Sequence, residues 1–270
     1  MSAKITVVMS TRNDGQYLET ALKSLLSQTF KDWELLIIND ASTDNTEEII
    51  HRLFGQDSRL FYVKNFKNLG VTINIKRLIR KANTEFIARL DGDDYWIDRR
   101  KLSQQYKIIT QDETIGMIGT WAKVVDLHGK ELYKVRYSLT DKSIRKRMLY
   151  ENPFITSSTL FRKPKNSEVA QIKPLNKYAD DYNLVLQVGI TKKLMNIPIY
   201  ATAYRINPAG VSQTKAHQQI QDTMRIIEQY KPYYPGYRVA SLLWKLRINY
   251  PIWMKGKMPM EVKNTLKYYS

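Results

Sequence analysis

The first 91 residues alternate between apolar, β-branched runs and stretches whose apolar residues recur at helical spacing. This alternation favours a parallel sheet with helices on both faces, and ligands of such sheets bind beyond the carboxyl ends of the strands. It therefore predicts an α/β fold with a Rossmann-like, mostly parallel central sheet. The predicted strands are 4–10, 33–39, 59–64 and 84–90, and the predicted helices follow residues 15, 45 and 71.

Acidic residues directly follow the fourth predicted strand. Asp91, Asp93 and Asp94 follow it, with Gly92 between the first two. Neighbouring carboxylates repel one another unless a cation lies among them, and hard carboxylate oxygens suit Mg²⁺ or Mn²⁺. We expect the remaining metal ligands to come from water or a phosphorylated substrate. The alternative is an acidic turn that caps the next helix.

Polar side chains also follow the first two predicted strands. Thr11 and Arg12 end the first strand, and Asp40 ends the second. Topology brings these residues to the same edge as Asp91 and Asp93. The sequence has no Gly-x-Gly-x-x-Gly or Walker-type loop at this position, so we expect metal and side chains to hold any phosphate.

The second half of the chain is less regular. The pattern predicts a helix from 101, a hairpin over 115–135, a short strand over 156–162, a strand region over 193–206 broken by Pro198, and a helix over 216–230. Asp180 and Asp181 open another predicted helix, where N-capping is the alternative to a catalytic role. Asp44 and Glu47 are spaced as in a capping box.

The charge of the chain implies an anionic partner. The formal net charge is +17, which suits a nucleotide, a nucleic acid or an acidic membrane surface. The tail from Tyr230 to Ser270 has eight basic residues and one acid, Glu261, with seven Tyr and two Trp. We expect it to dock on an anionic membrane; a solvated basic face or an ordinary packed helix pair is the alternative.

Other features point to a cytoplasmic setting. The chain has no cysteine, which excludes disulfides and thiolate metal sites. The N-terminus runs straight into a predicted strand, which leaves no room for a signal peptide. No apolar run approaches the roughly 18 residues of a membrane span. We therefore expect a protein that is soluble or peripheral.

Seven sequence blocks in this order resemble the family 2 glycosyltransferases, which are inverting, nucleotide-sugar-dependent enzymes of the GT-A fold. They are ITVVMSTRND, QTFKDWELLIINDASTDNT, NLGVTINIKRLI, EFIARLDGDDYW, NPFITSSTLFRK, YADDYNLVL and YRINPAGVS. The resemblance implies a GT-A domain over 1–212, with a nucleotide-binding half (1–95) and an acceptor-side half (96–212). Residues 213–270 would form a basic, aromatic, helical extension.

The resemblance also implies roles for single residues. Asp40 would contact the uracil of the donor. Asp91 and Asp93 would form the Asp-x-Asp motif, with Asp91 toward the ribose and Asp93 toward Mn²⁺ or Mg²⁺ on the diphosphate. Asp181 would be the catalytic base. Further nucleotide-sugar contacts are implied for Thr11, Arg12, Lys76 and Arg205, and acceptor-side positions for Asp180, Thr156 and Asn207.

The chain departs from the family pattern at four of these positions, and Asp180, where the family motif has Glu, is the mildest departure. Thr156 and Asn207 each stand where many relatives have His, which predicts that the two positions are neighbours in one subsite. Lys76 stands where Asn is usual, which predicts a tuned nucleotide pocket.

The implied activity is that of a metal-dependent hexosyltransferase. It would move a sugar from a UDP-sugar to a glycan or lipid-linked glycan, in the synthesis of bacterial surface polysaccharide, lipopolysaccharide or capsule at the inner face of the cytoplasmic membrane. One alternative is a metal-dependent nucleotidyltransferase on a similar sheet, for which the glycine-rich loop with Arg and Lys is missing. A basic nucleic-acid-binding protein would explain the charge but not the acids, so we expect no nucleic-acid partner.

Overall fold

The chain is represented here by a computed structural model that describes residues 3–55, 57–164 and 178–249. Within these residues one mixed sheet is formed in the order β3-β2-β1-β4-β8-β6-β9-β5, with β7 paired to β6. The strands are β1 (Ile5–Thr11), β2 (Trp33–Asn39), β3 (Leu60–Lys64), β4 (Phe86–Arg89), β5 (Tyr95–Trp96), β6 (Ile115–Val125), β7 (Glu131–Val135), β8 (Leu160–Arg162) and β9 (Lys193–Arg205).

Helices cover both faces of this sheet. They are α1 (Gly15–Leu26), α2 (Thr46–Phe54), α3 (Val71–Lys81), α4 (Lys101–Gln111), α5 (Asp141–Arg147), α6 (Asp180–Thr191), α7 (Val211–Thr214), α8 (Ala216–Tyr230) and α9 (Tyr237–Asn249). A single 3₁₀ turn spans Thr156–Ser158.

Strands β1 to β4 form the parallel sheet that the alternation predicts. β1 is parallel to both β2 and β4, and β2 is parallel to β3. Successive side chains of β1 enter different apolar layers: Val7 packs with the layer that contains α1 and α2, and Val8 with the layer that contains α3. This two-sided burial explains the continuous apolar runs. The carboxyl ends of β1, β2 and β4 consequently meet at one edge.

Three local predictions need correction. The segment predicted as a strand over 156–162 begins as the 3₁₀ turn, because the hydroxyls of Thr156 and Ser157 bind carboxylates, and only Leu160–Arg162 pair with β4. β9 continues through Pro198; a register shift in its pairing with β6 absorbs the proline.

The predicted capping box is also wrong. The N-cap of α2 is Asn45, which makes no side-chain cap hydrogen bond. Asp44 instead accepts hydrogen bonds from Thr46 and from the backbone N–H of Gly15. Glu47 pairs with Tyr62 and Lys64 on β3.

The described part of the C-terminal region packs on the domain. Tyr234 donates its hydroxyl to the carbonyl of Leu186 (2.6 Å). On α9, the Trp244 indole donates to the Leu149 carbonyl and Arg247 to that of Tyr150. Residues 250–270 of the predicted membrane-docking tail lie outside the described residues.

A lysine is buried at the start of α4. Lys101 is fully buried, with its Nζ 2.9 Å from Gln105 Oε1 and 4.2 Å from the centre of the Trp96 ring. Burial lowers the pKa of Lys101 well below its ordinary value. The folded protein therefore keeps this group neutral at a pH where the unfolded chain protonates it.

We predict that Lys101→Met removes a pH-dependent contribution to stability. Since the unfolded chain binds the proton up to a pH of about 10.4, the stability of the wild type increases relative to that of the variant as pH rises within the alkaline range toward about 10. Urea unfolding of both proteins across this range measures the difference. A difference that does not change with pH would show that Lys101 is charged in the folded state.

Candidate active site

An unanticipated carboxylate stands at the end of β1. Asp14 accepts hydrogen bonds from the Thr11 hydroxyl (2.8 Å) and the Arg12 backbone N–H (3.2 Å). A Cβ added to Gly92 would come within 2.6 Å of Asp14 Oδ2, so the glycine lets this carboxylate approach the acidic stretch. Sequence reasoning missed Asp14, although its place just beyond a predicted strand end was a usable signal.

Asp40 is held rigidly at the end of β2. Its Oδ1 accepts from the Asn65 amide (2.7 Å) and the Leu69 N–H (2.9 Å), and its Oδ2 from the Gly70 N–H (2.8 Å). Burial alone would raise the pKa of Asp40, but these hydrogen bonds lower it below its ordinary value. Asp40 therefore fixes the loop before α3, and its contact with uracil remains a prediction.

The acids after β4 repel one another. Burial raises the pKa of Asp93 to about 7, and the charges of Asp14 and Asp91 act in the same direction. Burial also raises the pKa of Asp14 to about 6. The Asn207 amide lies 3.4 Å from Asp93 Oδ2 and partly offsets the effect.

This surplus of negative charge suits a divalent cation. Within the described residues, no three His, Cys, Asp or Glu side chains are grouped so as to hold a metal. The protein would thus supply Asp93 and Asp91, and the donor and water would supply the rest, as is usual for Mg²⁺. The side chains fit the expected metal on these terms.

The third acid of the stretch is structural. Asp94 is buried and accepts hydrogen bonds from the Ser157 hydroxyl (2.5 Å) and the Arg205 backbone N–H (2.9 Å). Burial raises the pKa of Asp94 well above its ordinary value. Asp94 therefore ties β9 and the 3₁₀ turn to the acidic loop.

Arg205 also contributes to this connection. Its Nε donates to the Asp93 carbonyl (2.8 Å), and its Nη1 to the carbonyls of Asp126 and Leu127. The guanidinium stacks on Tyr17, 4.6 Å from the ring centre. Arg205 thus lies beside the acidic loop and braces it, and its expected contact with donor phosphates remains a prediction.

A buried arginine joins the two groups of acids. Arg89 is 4% exposed; its Nη2 donates to Asp91 Oδ1 (2.9 Å), and its Nη1 lies 3.9 Å from Asp180 Oδ2. Burial would lower the pKa of Arg89, but Asp91 and Asp180 raise it. Sequence reasoning missed this residue too, although a charge inside an apolar strand run was a visible signal.

Asp180 and Asp181 point to different parts of the cleft. Asp180, for which the resemblance implies an acceptor-side position, interacts with Arg89, Thr72 and Lys76, which all lie within residues 1–95. Burial raises the pKa of Asp180 to about 6, and Arg89 opposes that rise. Burial lowers the pKa of Lys76, which Asp180 opposes.

Asp181 faces the acceptor-side half. Its Oδ2 accepts hydrogen bonds from Thr156 Oγ1 (2.8 Å) and Asn152 Nδ2 (3.1 Å). The N-cap position of α6 belongs to Ala179, so neither Asp180 nor Asp181 is the N-cap residue. Thr156 and Asn207, predicted to share a subsite, bind different acids: Thr156 binds Asp181, and Asn207 binds Asp93.

Comparison with known proteins now decides the family. The model of glycosyl transferase family 2 matches residues 6–166. The chain belongs to glycosyl transferase family 2. Thr11, Asp40, Asp91, Asp93 and Thr156 all lie inside the matched range.

Relatives and solved structures agree with this family assignment. The chain is 26% identical over 242 residues, 81% of the chain and 84% of the relative, to the UDP-Glc:alpha-D-GlcNAc-diphosphoundecaprenol beta-1,3-glucosyltransferase WfaP of Escherichia coli. The matches to two other glycosyltransferases, MJ1057 of Methanocaldococcus jannaschii and EpsE of Bacillus subtilis, cover 55% and 56% of those chains.

This chain aligns over nearly its whole length with two solved structures. The first is S. aureus TarS 1-349 in complex with UDP-GlcNAc, with a TM-score of 0.70, 15% identity, and coverage of 98% of this chain and 80% of that one. The second is the mannosyltransferase PcManGT of Pyrobaculum calidifontis in complex with GDP-Man and Mn²⁺, with a TM-score of 0.66, 16% identity, and coverage of 100% and 74%. Their likeness confirms the predicted GT-A fold.

We predict that Asp14→Asn stabilises the metal-free glycosyltransferase at neutral pH. The raised pKa of Asp14 means that its carboxyl favours folding below a pH of 3.8, and that this contribution is lost as pH rises through about 6. Asn keeps an acceptor for Thr11 and carries no charge. The expected gain is on the order of 1–3 kcal/mol at a pH of about 8 and much less near pH 4.

Urea unfolding in EDTA at both pH values measures this gain. Asp32→Asn is the control, since Asp32 lies at the opposite end of the sheet, just before β2. Equal stabilisation at the two pH values would contradict the electrostatic explanation.

Proposed function

We propose that the protein is an inverting, metal-dependent glycosyltransferase that moves a sugar from a UDP-sugar to a hydroxyl of a glycan or lipid-linked glycan. The observation that carries the proposal is the separation of the acids into two sites at one sheet edge. Asp91 and Asp93 form one site, and Asp181, anchored by Asn152 and Thr156, forms the other.

The donor side supports the loss of a nucleoside diphosphate. Asp93 and Asp91 would hold Mn²⁺ or Mg²⁺, which would stabilise the negative charge that develops on the leaving diphosphate. In this proposal Thr11, Arg12, Asp40 and Lys76 would contact the nucleotide-sugar. The UDP-Glc in the name of WfaP, the UDP-GlcNAc complex of TarS and the Mn²⁺ complex of PcManGT support this choice of donor and metal.

Asp181 supports attack by an acceptor hydroxyl. In the proposed reaction its carboxylate takes the hydroxyl proton while the acceptor oxygen bonds to the anomeric carbon and the bond to the diphosphate breaks. A base on the side opposite the leaving group gives inversion, as in other displacements at an anomeric carbon. Asp180, paired with Arg89, is not the base in this proposal.

We also propose a lipid-linked acceptor and a role in bacterial surface-glycan synthesis. The support is the diphosphoundecaprenol acceptor in the name of WfaP. Among the described residues, no helix is long and apolar enough to cross a membrane. In this proposal the chain reaches such an acceptor at the inner surface of the cytoplasmic membrane.

Release of nucleoside diphosphate tests the proposed activity. UDP-glucose, UDP-N-acetylglucosamine, UDP-galactose and GDP-mannose are each supplied with Mn²⁺, Mg²⁺ or EDTA. Metal-dependent UDP release from a UDP-sugar supports the proposal. Pyrophosphate release from UTP and a sugar phosphate would instead identify a nucleotidyltransferase, and release that is unchanged in EDTA would contradict the metal.

We predict that Asp93→Asn weakens metal-dependent UDP binding, because a neutral amide is a poor ligand for a hard cation. Calorimetric titration of UDP in Mn²⁺ and in EDTA measures the effect. Asp112→Asn, an exposed acid after α4, is the matched control. Unchanged UDP affinity with unchanged metal dependence would remove Asp93 from the metal site.

We predict that α9 and the turn before it contact anionic lipid. Tyr233 and Leu242 are exposed by 56% and 57%, close in sequence to the exposed Arg238 and Lys245. Tyr, aliphatic and basic side chains together suit a membrane interface. Lys245→Glu with Leu242→Ser should therefore lower sedimentation with phosphatidylglycerol vesicles.

Lys107→Glu is the matched control for this experiment. Lys107 is exposed on α4, which packs on the other apolar layer of the sheet from α9. Equal sedimentation with phosphatidylcholine and phosphatidylglycerol vesicles, insensitive to salt, would contradict docking.

A further inference from the structure

One short turn, residues 152–158, contacts both acid sites. Thr156 donates its hydroxyl to Asp181 Oδ2 (2.8 Å), and the next residue, Ser157, donates to Asp94 Oδ2 (2.5 Å). The backbone N–H of Asp91 in turn donates to Ser157 Oγ (3.1 Å). Adjacent hydroxyls thus bind the proposed base on one side and the acidic donor loop on the other.

Two side chains outside the turn also hold its backbone. The Trp96 indole donates to the Ser157 carbonyl (2.7 Å), and the Gln105 amide to the Ser158 carbonyl (2.8 Å). Ser157 and Ser158 are fully buried. Buried hydrogen bonds to the next two residues therefore hold the backbone that carries the Thr156 hydroxyl.

Asn152 adds a second donor with a defined orientation. Its Oδ1 accepts from the Phe154 backbone N–H (3.2 Å), so its Nδ2 must be the atom that faces Asp181, at 3.1 Å from Oδ2. Asn152 and Thr156 consequently bind the same carboxylate oxygen. Two donors that bind Oδ2 hold that oxygen in place and distinguish it from Oδ1.

We propose that Thr156 and Asn152 are positioning residues that hold Asp181 so that Oδ1 receives the acceptor proton. The same turn, through Ser157, fixes the distance from this oxygen to the donor loop. The inference rests on the proposed function of Asp181 as general base. Such positioning matters because small misplacements of a reacting group can cost about 10²-fold in rate.

Thr156→Val tests the inference, since it removes the hydroxyl and keeps the shape of the side chain. We expect kcat for UDP release from the best donor of the panel above to fall about 10- to 100-fold. We expect the donor KM and the Kd of UDP to stay unchanged, because the metal site is not altered. Thr156→Ser keeps the hydroxyl and should retain most of the rate.

Thr159→Val is the matched control. The Thr159 hydroxyl belongs to the same segment but donates to the Thr156 carbonyl (2.8 Å), not to a carboxylate. The inference predicts near wild-type kcat for this variant. Thermal unfolding of all variants shows whether any loss of rate accompanies a loss of stability.

The Asp181→Asn background separates positioning from general support of the fold. A residue that acts through Asp181 adds no further loss there, so Asp181→Asn with Thr156→Val should match Asp181→Asn alone. A further loss in the double variant, or an equal loss in Thr159→Val, would show a structural role and overturn the inference.

Different results would contradict the proposed role of Asp181 as base and the positioning inference. If Asp181→Asn loses turnover by the ~10²–10⁴-fold of a general base while Thr156→Val keeps the wild-type rate, the positioning inference alone is wrong. If Asp181→Asn keeps wild-type turnover, the proposed base is wrong, and the positioning inference falls with it.

Discussion

The active-site architecture depends on the buried guanidinium of Arg89. It lies between Asp91 and Asp180, and so compensates one acid after β4 and one at the start of α6. Removal of one partner from a buried ion pair leaves an uncompensated charge, which typically costs about 3–5 kcal/mol. Burial raises the pKa values of Asp14 and Asp93, and the neighbouring carboxylates act in the same direction. In the proposed function, a metal ion that arrives with the donor would compensate these acids.

The acids at this edge have different structural settings. Asp94 binds the Ser157 hydroxyl and the Arg205 backbone, and Asp40 shapes the loop before α3. Asp181, in contrast, accepts hydrogen bonds from Asn152 and Thr156 in the 152–158 turn. Neighbouring carboxylates can thus serve folding and chemistry separately, according to which side of the sheet edge each one faces.

The parallel half of the fold could be predicted because burial on both faces leaves a strong local pattern in 4–10, 33–39 and 84–90. The family blocks likewise singled out Asp93 and Asp181, whose roles remain predictions. The pattern did not reveal the direction of Asp180, because the first turn of a helix sends adjacent side chains to different sides and tertiary partners decide the outcome. Arg89 and Asn152 were missed because they contact Asp180 and Asp181, which lie far away in sequence. Asp14 binds its own sequence neighbours, but its approach to Gly92 brings together distant segments. The 3₁₀ turn at Thr156 was mistaken for a strand because its hydroxyls bind acids instead of extending the ladder.

The central claim is a single displacement in which the base and the leaving group lie on opposite sides of the sugar. The anomeric configuration of the product, read by proton NMR after transfer from an α-linked UDP-sugar, tests this claim most directly. A single displacement predicts a β-linked product. An α-linked product would require retention, and would contradict the role of Asp181 as a base in a single displacement.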